Sequence, residues 1–250
     1  MKHSLRSGNI RHLAYDQVSG EAPGIVFLGG FRSDKEGIKA RHLERWAIDS
    51  GRAYLRFDYS GHGRSSGDFL EGCIGDWAED AAAIISDLTE GPQILVGSSM
   101  GGWISLLIAR EMPNKVAGLV TVAAAPDFTE DSLWASLSDG QKSQLLSVGQ
   151  ITMHSEYSTE PYIITRLLIE NGRKMLVLRS PLHLPFPTRF LHGTADQDVD
   201  VSVALGLLEH AEGVDIRLIL VKGADHRFSS PSCLDLITRM IDEVTASIRG

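Results

Sequence analysis

The chain has 250 residues, 43% hydrophobic and 22% charged, enough to bury a large core in a single α/β domain. Its net charge is −8 and Lys and Arg are scattered without a basic stripe, which argues against a nucleic-acid partner. The longest apolar runs, such as 116–125, fall well short of the roughly 18 to 20 residues a bilayer span needs, so no stable membrane insertion is expected.

Residues 1–11 are mixed and polar, with no apolar segment leading to a small-residue cleavage site, so no secretory signal is read there. Cys73 and Cys233 lie far apart and are expected to be reduced thiols of a cytoplasmic protein. An edge strand is predicted near 10–17 and a buried strand at 24–28. The latter runs into Gly29-Gly30-Phe31-Arg32-Ser33, where two glycines let the backbone approach a neighbouring site. The Phe31 N–H is therefore a candidate oxyanion donor, against the plainer reading of a strand-ending turn. Arg32 either binds an acidic group or faces solvent.

A helix is predicted over 35–50, a strand over 53–57 and a helix over 74–88, whose Trp77, Ala81, Ile84, Ile85 and Leu88 form an apolar stripe. The strand at 93–96 leads into Gly97-Ser98-Ser99-Met100-Gly101-Gly102 and then a helix over 100–111. A strand reversing into a helix within so few residues strains its central residue, and flanking glycines relieve the crowding. Ser99 is thus the candidate nucleophile, with the Met100 N–H at the positive end of the following helix as an oxyanion donor. The competing reading is a Gly/Ser turn matching a short pattern, which the strand before and helix after disfavour.

After a strand at 116–122, about sixty residues precede the next strand at 188–191, too many for an ordinary connection. The interval 127–187 is read as a small helical cap inserted into one domain spanning 1–250, with helical segments at 131–148 and 161–171. Its Leu133, Trp134, Leu145, Ile164 and Leu168 either line an acyl pocket or pack the cap, and packing is the reading for most. The turn after 188–191 carries Asp196, three residues past Gly193, as candidate acid; Asp198 and Asp200 are alternatives, or caps for a helix at 201–210. A strand at 215–221 ends in Lys222-Gly223-Ala224-Asp225-His226, making His226 the candidate base, and a helix at 231–249 closes the chain. His183 and His192 compete from poorer positions, in the cap and at a His-Gly turn.

Serine needs a base to remove its proton and a carboxylate to orient that base, and Ser99, Asp196 and His226 follow strands in that order. The architecture expected is a mainly parallel sheet with helices on both faces, and the chain resembles the α/β-hydrolase superfamily over nearly its whole length. Arg56-Phe57-Asp58-Tyr59-Ser60-Gly61-His62-Gly63-Arg64-Ser65 matches that superfamily's loop after an early strand, whose role is chiefly structural. A narrower resemblance is to the mitochondrial acyl-protein thioesterase and acyl-glucuronide esterase type of abhydrolase. It is carried by 56–61, by Gly91-Pro92-Gln93-Ile94-Leu95-Val96 continuing to Trp103, by Asp225-His226-Arg227 and more weakly by Ser155-Glu156-Tyr157-Ser158.

The resemblance implies the same triad and a serine hydrolase cleaving carboxylic esters or thioesters, of a small molecule or an acylated protein, without metal or organic cofactor. A serine peptidase or carbon–carbon bond hydrolase on the same fold, or a non-catalytic binding protein, are the alternatives. The long presequence of the mitochondrial proteins is lacking, so a bacterial cytoplasmic location is expected, or the mitochondrial matrix for a eukaryotic protein. No sequence pattern fixes an oligomeric state.

Overall fold

Short strands apolar on both faces need cover from both sides, and the amphipathic stretches between them supply it as helices. The computed structural model describes residues 1–7, 9–155 and 158–249. In chain order these form β1 (Lys2–Ser7), β2 (Asn9–Val18), β3 (Glu21–Leu28), α1 (Ile38–Asp49), β4 (Arg52–Phe57), α2 (Ile74–Leu88), β5 (Gln93–Ser98), α3 (Met100–Glu111) and β6 (Val116–Val122). There follow α4 (Asp139–Val148), β7 (Gln150–Ser155), β8 (Ser158–Thr165), α5 (Arg166–Gly172), β9 (Leu182–His183), β10 (Thr188–Gly193), α6 (Val201–His210), β11 (Ala211–Glu212), β12 (Ile216–Val221) and α7 (Pro231–Arg249).

The main sheet has eight strands in the order β1-β2-β4-β3-β5-β6-β10-β12. β2 runs antiparallel to both of its neighbours, and every pairing from β4 to β12 is parallel. Alternation along the strands divides the core in two. Val26, Leu28, Leu95 and Leu119 face α2 and α3, while Ile25, Phe27, Ile94, Val96, Val120 and Val122 face α1 and α7. This is the α/β-hydrolase fold expected from the sequence, and α2, α3, α6 and α7 occupy the predicted intervals.

Two expectations are corrected. The sheet's edge is β1, not the strand at 10–17; the run KHSLRS holds too few apolar residues to show a strand period, and its ladder with β2 forms the pair. The cap is not purely helical. A π-helical turn (Thr129–Trp134) and α4 begin it, but a β7–β8 hairpin interrupts it, so 161–165 is strand rather than helix. Ile151 opposite Ile164 and Thr152 opposite Ile163 are β-branched pairs suited to a pleated surface. Glu156 and Tyr157 of the segment 155–158 lie outside the described residues.

The ends of the insertion are fastened to one another and to the sheet's helices. Buried Asp127 accepts the backbone N–H groups of Val177 at 2.8 Å and Leu178 at 3.0 Å. Trp103 Nε1–H donates to the Met175 carbonyl at 3.1 Å and Arg110 to that of Leu176 at 2.9 Å. The cap is thereby held over the carboxyl ends of the strands, where ligands of open α/β sheets bind. Cys73 and Cys233 are buried free thiols, and no helix among the described residues is long and apolar enough to cross a membrane.

Candidate active site

The turn between β5 and α3 forces Ser99 to φ 54° and ψ −117°, a backbone state costing a non-glycine residue roughly 1–3 kcal/mol. Neighbouring backbone holds it there: Ser99 N–H donates to Val122 O at 2.9 Å, while Ser99 O accepts from Gly102 at 2.8 Å and Ala125 at 3.1 Å. The flanking glycines are required by close approach. A Cβ on Gly101 would lie 2.1 Å from Leu28 O, and one on Gly97 only 2.4 Å from Gly101 O. The hydroxyl of Ser99 is left projecting into the space between sheet and cap, where it lines a cavity of about 580 Å³.

Asp196 follows β10 and His226 follows β12, so adjacent parallel strands deliver both side chains beside Ser99. His226 Nε2 lies 3.1 Å from Ser99 Oγ, and its Nδ1 lies 2.8 Å from Asp196 Oδ2. The other Asp196 oxygen accepts the backbone N–H groups of Asp198 and Val199, each at 2.9 Å. Burial pushes the Asp196 pKa up, but these amides and His226 outweigh it and the net shift is downward. An ionised, fully hydrogen-bonded carboxylate fixes the Nδ1–H tautomer and leaves the Nε2 lone pair facing the Ser99 hydroxyl.

The alternatives are dispersed. Asp200 caps α6 through the Ser202 N–H at 2.8 Å, and His183 pairs with Glu212 on the β9–β11 ladder. His192 is buried beneath the site, with Nε2 2.9 Å from Val199 O and 3.6 Å from Asp196. Asp198 does border the cavity, and burial raises its pKa. Donor atoms of Asp196, Asp198 and His226 lie within 4.8 Å of one another, but both oxygens of Asp196 are already engaged in hydrogen bonds.

Phe31 and Met100 both line the cavity beside Ser99, and among the described residues neither backbone N–H donates to a protein acceptor. The loop is close enough that a Cβ on Gly30 would sit 3.4 Å from Ser99 Cβ. Phe31 is held by its ring, which meets Phe69, Phe128 and Trp77 edge-on at 5.0, 5.8 and 6.0 Å. The segment 56–65 braces this cluster. Asp58 accepts the Lys35 and Arg64 N–H groups at 2.6 and 2.9 Å, and Ser60 O accepts Trp77 Nε1–H at 3.1 Å.

The cap supplies Phe128, Leu133 and Tyr162 to the cavity wall. Sequence reasoning missed Phe128 and Tyr162, because a wall residue on a folded-back insertion has no local signature. Of the apolar cap residues singled out in the sequence, Leu145, Ile164 and Leu168 are packed in the core, while their chain neighbours Leu146 and Leu167 are exposed. Arg32 is exposed, lines the cavity, and holds its guanidinium 5.9 Å from the Phe69 ring centroid.

The sequence and fold are similar to those of known proteins. The family model for serine aminopeptidase S33 (Hydrolase_4) matches residues 38–166. Mouse mitochondrial palmitoyl-protein thioesterase ABHD10 is 36% identical over 96% of this chain and 81% of its own length. The mouse ABHD10 structure superposes with a TM-score of 0.90 at 34% identity, covering 98% of both chains. A putative hydrolase from Agrobacterium vitis S4 superposes with a TM-score of 0.93 at 38% identity, again over 98% of both chains.

Proposed function

The chain belongs to the α/β-hydrolase family as a serine hydrolase of the ABHD10 and esterase type, and from that premise we propose that Ser99, His226 and Asp196 cleave acyl esters or thioesters. The observation that carries this reading is His226, within hydrogen-bond reach of Ser99 through one ring nitrogen and of Asp196 through the other.

In the first half-reaction Ser99 Oγ attacks the substrate carbonyl while His226 Nε2 takes the hydroxyl proton. The Phe31 and Met100 amides receive the oxyanion, each such donor contributing about 3–4 kcal/mol in the transition state. Collapse breaks the bond to the leaving alkoxide or thiolate, which takes the proton from His226, and leaves the acyl group on Ser99. Water, deprotonated by the same imidazole, then attacks the acyl-enzyme, releasing the carboxylic acid and restoring Ser99. Asp196 stays ionised and offsets the charge of the imidazolium at each stage.

The name of the mouse relative supports an acyl thioester as one substrate, whether on a small molecule or an acylated protein, and the aromatic and aliphatic wall of Phe31, Phe128 and Leu133 suits an acyl chain. The chemistry requires no cofactor. A bacterial cytoplasm, or the mitochondrial matrix for a eukaryotic chain, suits such substrates. The test is Ser99→Ala: turnover of a short p-nitrophenyl ester and labelling by a fluorophosphonate should both vanish while the protein stays folded. Full activity in that variant overturns the assignment. Kinetics on esters, thioesters and aminoacyl amides side by side separate this reading from a peptidase.

A further inference from the structure

Lys39 occupies an environment that its own helix does not explain. It lies in the first turn of α1, where the helix dipole disfavours a cation, and that turn carries no acidic residue. The ammonium is only partly exposed, and its Nζ–H donates to the carbonyl of Arg227, 188 positions along the chain. Arg227 directly follows His226.

The turn that presents His226 needs such support. Phe228, two residues on, has a φ of 49°, unfavourable for a large side chain, and its ring is fully buried against a core that includes Ala40 and Leu43 of α1. Its N–H is shared by Asp225 O at 3.2 Å and Asp225 Oδ1 at 3.0 Å. Asp225 and Phe228 thus close the turn from inside, and Lys39 grips its outer carbonyl from a different element. Both reactive contacts of His226, at 3.1 and 2.8 Å, depend on where this turn sits.

We propose that Lys39 is a positioning residue for His226, its ammonium clamping the Arg227 carbonyl so that the imidazole meets Ser99 and Asp196 together. The proposal rests on the Ser99 hydrolase reading above. Burial lowers the Lys39 pKa to about 8, with Asp225 acting against that shift and Arg227 with it; these are the charged groups that face the ammonium. Below that pH the clamp is a charge-assisted hydrogen bond, and above it a weaker neutral one. The turnover number should therefore step down as pH rises through about 8.

The experiment compares wild type, Lys39→Met and Lys39→Arg on a short p-nitrophenyl ester from pH 6 to pH 10, with thermal melting and fluorophosphonate labelling of each. Lys39→Met should lose about tenfold in kcat with KM within about twofold, since slight misplacement of a reacting group costs rate rather than binding. Its alkaline step should disappear. Lys39→Arg should recover most of kcat and also lack the step near pH 8, because a guanidinium stays charged to above about pH 12. Wild-type kcat with an unchanged step in Lys39→Met overturns the proposal, as does failure of Lys39→Arg to restore the rate. Should Lys39→Met not fold, the step decides: present in wild type and absent in Lys39→Arg supports the clamp, and present in both overturns it. A wild-type protein neither active nor labelled would instead overturn the hydrolase reading itself, and the clamp with it.

Discussion

Replacing Asp196 by Asn should separate catalysis from stability. One Asp196 oxygen accepts His226 Nδ1 at 2.8 Å and the other accepts two backbone N–H groups at 2.9 Å. An Asn keeps its carbonyl on those amides and turns its NH2 toward Nδ1. The imidazole then has to accept at Nδ1 and carry its proton on Nε2, facing Ser99 with a donor where a base is needed. The charge opposing the imidazolium is lost as well. The expected fall in kcat is ~10³ to 10⁴, or ~4 to 5.5 kcal/mol of transition-state stabilisation, with urea-unfolding stability within ~1 kcal/mol of wild type. Asp196→Ala should be equally inactive but less stable by ~1–3 kcal/mol, because the part-buried Val199 N–H loses its acceptor while the exposed Asp198 N–H turns to water. The two variants are compared by p-nitrophenyl ester kinetics and urea denaturation. Asp196→Asn retaining more than about a tenth of wild-type kcat would refute the reasoning, and Asp198 would then be tested as the acid by the corresponding Asn substitution.

Two further outcomes are expected. Asp127→Ala removes the acceptor of the Val177 and Leu178 amides and should cost ~2–6 kcal/mol in urea denaturation; it should also raise KM, since the adjacent Phe128 lines the cavity. Asp127→Asn should be milder, because Asn tolerates the φ of 56° at this position, and equal stability of wild type and the Ala variant would show that Asp127 does not fasten the ends of the insertion. Glu36 is held at about 2, below its ordinary 4.5, by its hydrogen bond from Lys35 and then by Arg56. A folded-state pKa below the unfolded one means this stabilisation is present above pH 4.5 and is lost as pH falls toward 2. Glu36→Gln should therefore flatten the fall of melting temperature over that interval, and curves of identical shape would exclude the pairing.

What the sequence made legible follows from how local each signal is. α2 could be placed because Trp77, Ala81, Ile84 and Ile85 repeat at helical spacing, and all four are buried on one side. Ser99 stood out as a candidate because glycine is demanded at specific neighbours by backbone contacts, and Asp196 and His226 because each stands just past an apolar strand; the structure brings these three candidates within hydrogen-bond reach. The β7–β8 hairpin was not, for a definite reason. Ile163, Ile164, Leu167 and Leu168 repeat with helical spacing across two elements, a strand and α5, so the period runs through a boundary it does not respect. The overlooked signal was Thr165, whose hydroxyl accepts the Leu168 N–H at 3.2 Å and so marks the start of α5. Gly149, at φ 89°, marks the other side by ending α4 before β7.

Among the described residues, Arg32, Ser99, Ala123, Asp127 and Phe228 have positive φ without being glycine. Each follows the carboxyl end of a sheet strand, and each stores roughly 1–3 kcal/mol of backbone strain. What holds much of it is a continuation of the sheet's hydrogen bonding past the strands themselves. Ser99 N–H bonds to Val122 O at the end of β6, and Ala123 N–H bonds to Leu191 O in β10 at 2.8 Å. Beyond β10, Thr194 and Ala195 donate to Val221 O and Ala224 O, both at 3.0 Å, leading into the turn that carries His226. Ser99, Asp196 and His226 are therefore linked through backbone bonds from β5 to β12 as well as through their side chains. A site tied in this way inherits the stiffness of the sheet, so loss of activity on heating should coincide with global unfolding rather than precede it. Activity and far-ultraviolet circular dichroism measured on the same samples should give one midpoint; an earlier loss of activity would show that the turns loosen independently of the strands that carry them.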